Sequence, residues 1–200
     1  MIQSRSWFWA LSSLLLACTS MASAQRGALT APRSIDQLSQ EAAVIVHGHV
    51  VSAKVEPHPQ LRNLMTVLVT MQVEETLKGT AGKSFQFRQY IWDLRDQIDA
   101  ARYGKGEDLL LMLGPVSQYG LTSPVGLQQG RFRITQDASG QAMAVNGNGN
   151  LRLFEGTEQR AQARSLKLSS RVSSLARQPK AGPVPLSDLE DAIRTFARSK

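Results

Sequence analysis

Two hundred residues, 42% of them apolar and 20% charged, fit one ordinary folded domain with short tails and exclude collagenous or low-complexity classes. The formal net charge is +7 and lies late in the chain: up to Gly130, 11 Lys and Arg face 10 Asp and Glu, whereas from Arg131 onward 12 face 6. Such a surplus suits anionic envelope material or an acidic partner and says nothing about fold.

Met1–Ala24 reads as a secretory signal. Arg5 is its only charge, Trp7–Ala17 is an apolar core too short to span a bilayer, and Ala22-Ser23-Ala24 is a small-residue cleavage site before Gln25. Leu15-Leu16-Ala17-Cys18 offers a second cut, that of a bacterial lipoprotein anchored at Cys18. Release at Gln25 predicts a periplasmic or secreted protein without a transmembrane segment. It would also lack any thiol, which excludes disulfides, thiolate zinc sites and a cysteine nucleophile.

Ser34–Ala42 predicts a short helix capped by Ser34, with Ile35 and Leu38 turned inward. In Ala43–Val55, valines and Ile45 crowd around His47-Gly48-His49; in Leu64–Gly79, Met65, Val67, Val69, Met71 and Val73 share one parity. Period two with β-branched enrichment marks strands, here the two arms of a long hairpin. Lys83–Gln89, with Phe85 and Phe87 on one parity, is a third strand. Tyr90–Gly106 breaks the alternation: Ile91, Leu94, Ile98 and Ala101 recur at helical spacing and predict an amphipathic helix lying over the barrel. Leu109–Leu113 is apolar on both parities, as a deeply covered strand should be. Arg131–Gln136, with its arginines outward, and Gln141–Asn146 flank the turn Asp137–Gly140, and Leu151, Leu153 and Phe154 dock back on the barrel. Residues 155–182 are rich in Ser, Gln, Ala and Arg and read as a basic, flexible linker or a weak helix. In 183–200, Ser187 and Glu190 form a capping-box pair ahead of the stripe Leu189, Ile193 and Phe196. The expected fold is mainly β: a small OB-like closed or partly open β-barrel over 34–154, with a short covering helix and a C-terminal amphipathic helix.

The order from Ser34 to Leu113 resembles netrin-like OB barrels of the tissue-inhibitor-of-metalloproteinases type. The resemblance rests on the leading turn, Ala43–Val51, Val67–Gly79, an aromatic strand and Gly106-Glu107-Asp108-Leu109-Leu110-Leu111. It implies a protease inhibitor by fold analogy. Those inhibitors, however, chelate the protease's zinc through an N-terminal cysteine, and that place is held here by Gln25, or by a Cys18 whose amine is acylated. Phe87–Asp96, Gly120–Leu127 and Gln129–Arg133 resemble a family of secreted bacterial proteins without an established activity, and so imply none.

Four groups of side chains are candidate sites. His47 and His49 project from one strand face and, with His58 from the following loop, have the residue types of a metal site or metal-dependent enzyme, although no HExxH or cysteine accompanies them. Asp93, Asp96, Asp99, Glu107 and Asp108 hold either an acid-base pair or the wet face of a helix. Arg160, Arg164, Lys167 and Arg171 form an acid-free basic run suited to a polyanion, with no interleaved aromatic for nucleic-acid stacking. Tyr90, Trp92, Arg95 and Tyr103 have the composition of a protein-binding hot spot. G-x-S-x-G, Walker, GxGxxG and EF-hand patterns are missing. The expectation is therefore a non-catalytic exported domain, without cofactor, that binds another envelope or secreted protein.

Overall fold

Val44–Pro57 (β1) and Met65–Lys78 (β2), each 14 residues long, form the antiparallel hairpin that the alternating valines predict. The structure, a computed structural model, describes residues 31 to 197. The signal-like segment, Cys18, Gln25, Arg198 and Lys200 lie outside the described residues. Ser84–Tyr90 (β3) pairs with β2 and Asp108–Leu113 (β4) with β1; Arg131–Gln136 (β5), Ala142–Asn146 (β6) and Val184–Pro185 (β7) follow. The order β3-β2-β1-β4-β5-β6-β7 is antiparallel throughout and does not close, so the protein is mainly β with an open seven-stranded sheet. Among the described residues five short α-helices accompany it: α1 (Ile35–Glu41), α2 (Leu94–Ile98), α3 (Thr157–Ala163), α4 (Ser170–Arg177) and α5 (Leu186–Ala197). None of them is long and apolar enough to cross a membrane.

Both faces of the central strands are buried, which is why β4 is apolar on both parities. On one face Ile45, Leu110, Met112 and Phe132 pack with Ile35 and Leu38 of α1 and with Leu189, Ile193 and Phe196 of α5. On the other, Val46, Val69, Met71, Phe87, Leu109 and Leu111 are covered by Ile91, Ala101 and Tyr103. Each fully buried Leu or Phe of these layers contributes about 1.5–3 kcal/mol through removal from water.

Three register shifts interrupt β1 and β2, leaving Leu77, Glu74 and Val51 unopposed. A bulge lets one strand carry an extra residue and re-aims the side chains beside it. Leu77 thereby packs against the α5-side core, and Val51 is exposed. Gly48 stands at the Glu74 bulge because a Cβ there would lie 2.1 Å from the Gln72 carbonyl oxygen.

The structure corrects several expectations. The covering helix is only five residues long, and Leu94 and Ile98, expected to face the sheet, are 75% and 88% exposed. Ile91 is buried because its N–H still bonds the Met65 carbonyl as a continuation of β3, so it shares no helix with Leu94. Arg131 points into a buried layer and only Arg133 points outward. Within 155–182 the helical reading holds and the free linker does not: α3 and α4 bury Thr157, Ala161 and Val172, the last two in the main core. Helix α5 begins at Leu186, one residue before Ser187, so Ser187 is not its cap and Glu190 turns toward β1.

Candidate functional site

Among the described residues, the most exposed large apolar side chains lie where β3 ends. Trp92 is 82% exposed and meets Tyr90 edge to face, with ring centroids 4.8 Å apart, and Leu94 and Ile98 continue the ridge. Asp93 starts α2 by accepting a hydrogen bond from the Arg95 N–H at 2.9 Å, leaving the Arg95 side chain exposed. Beside the ridge lies an open groove of about 660 Å³, bordered by Tyr90, Trp92, Pro115, Leu121, Pro124 and Leu127. Its polar end is the Arg33–Glu41 ion pair, at 2.9 Å.

Tyr103 does not belong to that surface. Its ring is buried, 5.5 Å from Phe87 and 4.1 Å beneath the Arg131 guanidinium, and its hydroxyl donates to Gln89 at 2.8 Å. Burial pushes the phenol well above its ordinary range. Arg131 also donates to the carbonyls of Ala101 and Arg102 and meets Glu107. These bonds hold a turn in which Ala100, Ala101 and Arg102 all adopt φ between 50° and 63°, the left-handed region that L side chains enter at a cost. Tyr103 and Arg131 thus anchor the strap that carries the ridge.

A second cluster gathers on the α5 side. His47 Nε2 lies 2.9 Å from Asp108 Oδ1 on β4, and Nδ1 lies 3.3 Å from Glu190 Oε1 on α5. Carboxylates only accept hydrogen bonds, so donation to both would take a proton on each ring nitrogen, the imidazolium form. The Glu190 hydrogen bond and the Asp108 charge outweigh burial and raise the His47 pKa above 6.5. Burial alone would raise Glu190, but His47 and Arg194 hold its carboxyl below the usual range. Glu74, turned this way by its bulge, meets His49 Nδ1 at 2.9 Å and His47 Nε2 at 4.0 Å, and Arg194 ties Glu75 at 2.5 Å to the same helix.

His47 and His49 are therefore brought together, but as partners of carboxylates. Each ring nitrogen of His47 lies against a carboxylate oxygen. His58 is not their third member: it sits beyond the far end of β1, roughly 30 Å along the strand. There its Nδ1 accepts the Gln60 and Leu61 N–H groups at 3.2 and 3.1 Å, and its Nε2 bonds the Tyr119 carbonyl at 2.8 Å. No group of three or more His, Cys, Asp or Glu able to hold a metal ion occurs among the described residues.

The remaining candidates are dispersed. Of the acidic set, Asp99 accepts from the Arg102 N–H, Glu107 meets Arg131 and Asp108 meets His47, so each closes a structural contact. Arg160 leaves the basic run altogether to bind Asp36 and Ser34, and Arg171 stands 3.8 Å from Asp188. Arg164 reaches Gln40, and Lys167 is exposed. Sequence reading missed Glu74, Glu190, Asp36 and Arg131. The signals that point to Glu74 are Gly48 inside a valine run and the Glu74-Glu75 doublet where the alternation of β2 lapses. No protein-family model, curated protein or solved structure matches this chain.

Proposed function

We propose that this chain is an exported, non-catalytic binding domain that recognises another envelope or secreted protein through the Trp92–Ile98 ridge and its groove. The observation that carries the reading is the exposure of Trp92, Leu94 and Ile98 within seven consecutive residues. Apolar side chains grouped in this way are typical of a contact surface, and Trp with a neighbouring Arg has hot-spot composition. The anchoring of the adjoining turn by Arg131 supports it too, since a pre-ordered ridge loses less entropy on binding. Export rests on the pattern of Met1–Ala24.

The test is affinity capture from a periplasmic or culture-fluid extract of the native host, using wild type and Trp92→Ala side by side. A protein retained by wild type should be lost from the variant, with a drop of about 30-fold in affinity, the effect of a ~2 kcal/mol hot spot. Identical retention by both would refute the assignment of the surface.

A further inference from the structure

Helix α5 is attached to the sheet in two ways. Leu189, Ile193 and Phe196 are fully buried against it, and a charged margin joins Glu190 to His47 and Arg194 to Glu75. The apolar stripe is insensitive to pH; the margin is not. We propose that His47 is a pH-sensitive catch that fastens the C-terminal helix to the sheet while its imidazole is protonated and loosens the helix when that proton leaves.

The geometry leaves little alternative for the ring. From β4 it faces Asp108, from α5 Glu190 with Arg194 behind it, from β2 Glu74 and, through Arg194, Glu75, and from its own strand His49. With a proton on each nitrogen, His47 bridges a carboxylate of the sheet and a carboxylate of the helix. Without one, a ring lone pair confronts a carboxylate oxygen, and Asp108 and Glu190 repel across the joint with Arg194 as the cation nearest Glu190. Loss of the proton therefore acts on one of the two charged joints between helix and sheet, the other being Arg194 with Glu75.

The sign follows from the direction of the shift. His47 is raised in the folded state, so its contribution is complete below the ordinary histidine value of 6.5 and is lost as pH rises through the higher folded value. Glu190 is lowered, so the catch survives acidification until pH falls below the ordinary glutamate value of 4.5 toward the folded one. The fastened state thus covers mildly acidic conditions and is lost on the alkaline side of the raised His47 value. Loosening exposes Leu189, Ile193 and Phe196 together with the sheet surface they cover, which includes Ile45 and Leu110.

Hydrogen exchange of the full chain tests this, comparing amides of Leu186–Ala197 with those of Leu109–Leu113 at about pH 6 and about pH 9, each corrected for intrinsic exchange. Protection of α5 should fall about tenfold at the higher pH, as for loss of one charge-assisted hydrogen bond, while β4 stays protected. In His47→Gln the two pH values should give the same, already reduced, protection of α5. Equal protection of wild-type α5 at both pH values, or a pH response that His47→Gln retains, overturns the proposal. Should His47→Gln not fold, Glu190→Gln decides alone: a wild-type opening midpoint that moves to lower pH supports the catch, and an unmoved midpoint overturns it.

Discussion

The Asp36 carboxylate, wholly shielded from solvent in α1, is held by Arg160 of α3 at 2.6 and 2.9 Å, across 124 residues of chain. Ser34 completes the arrangement, bonding Asp36 at 2.7 Å and receiving Arg160 at 2.6 Å. This knot ties the basic stretch to the first helix.

Removing one partner of such a pair strands the other. Arg160→Ala should cost about 3 kcal/mol in urea unfolding, at the lower end for a broken buried pair because the guanidinium is partly exposed. Lys167→Ala, on an exposed side chain of the same stretch, should fall within about 0.5 kcal/mol of wild type. Equal effects of the two variants would mean that the knot contributes nothing to stability.

Asp36 also predicts an acid limb. Burial would raise its carboxyl, but the Arg160 and Ser34 hydrogen bonds and the Arg160 charge prevail and hold it below 3.8. Its contribution is present above the ordinary aspartate range and is lost as pH falls through the folded value. Denaturant midpoints measured downward from about pH 5 should decline more steeply for wild type than for Asp36→Asn.

Gly48→Ala places a carbon 2.1 Å from the Gln72 oxygen and 3.0 Å from the Val73 Cα, both main-chain atoms. Relief requires β1 and β2 to part at the Glu74 bulge, at about 1–3 kcal/mol, as for overpacked cores. The variant should unfold at lower urea, and the His49 ring resonances should shift as Glu74 moves away; unchanged resonances would show that the bulge absorbs the methyl group.

The two aromatic residues near the ridge should separate cleanly. Tyr103→Ala removes a buried ring and should cost about 3–5 kcal/mol. Trp92→Ala removes an exposed one and should leave the melting temperature within about two degrees of wild type. Early melting of Trp92→Ala would place the indole in the core.

The parts of the fold legible in the sequence are those with a repeating period. Valine alternation announces β1 and β2, the two-sided apolar run announces β4, and Leu189, Ile193 and Phe196 mark the inward face of α5. The unreadable parts have physical causes. Ile91, Leu94 and Ile98 have helical spacing, yet the first belongs to the end of β3 and the helix is too short for its period to fix a face. Tyr90, Trp92 and Arg95 stand together in the sequence and in the structure, whereas Tyr103 is buried: an aromatic ring beside arginines suits an interface and a cation-π stack equally. The partners of His47 come from two other elements, 61 and 143 residues away, and no local pattern announces such meetings.

A sheet that does not close has two margins at which a neighbouring molecule could add a strand. At one, β7 is two residues long and ends in Pro185, which has no N–H to offer an incoming ladder. At the other, the Thr122 N–H already bonds the Arg88 carbonyl and Leu121 bridges β3, so part of that row is occupied from within. Each margin thus carries a feature, Pro185 at one and the Leu121-Thr122 crossing at the other, that interrupts strand addition by a neighbouring molecule.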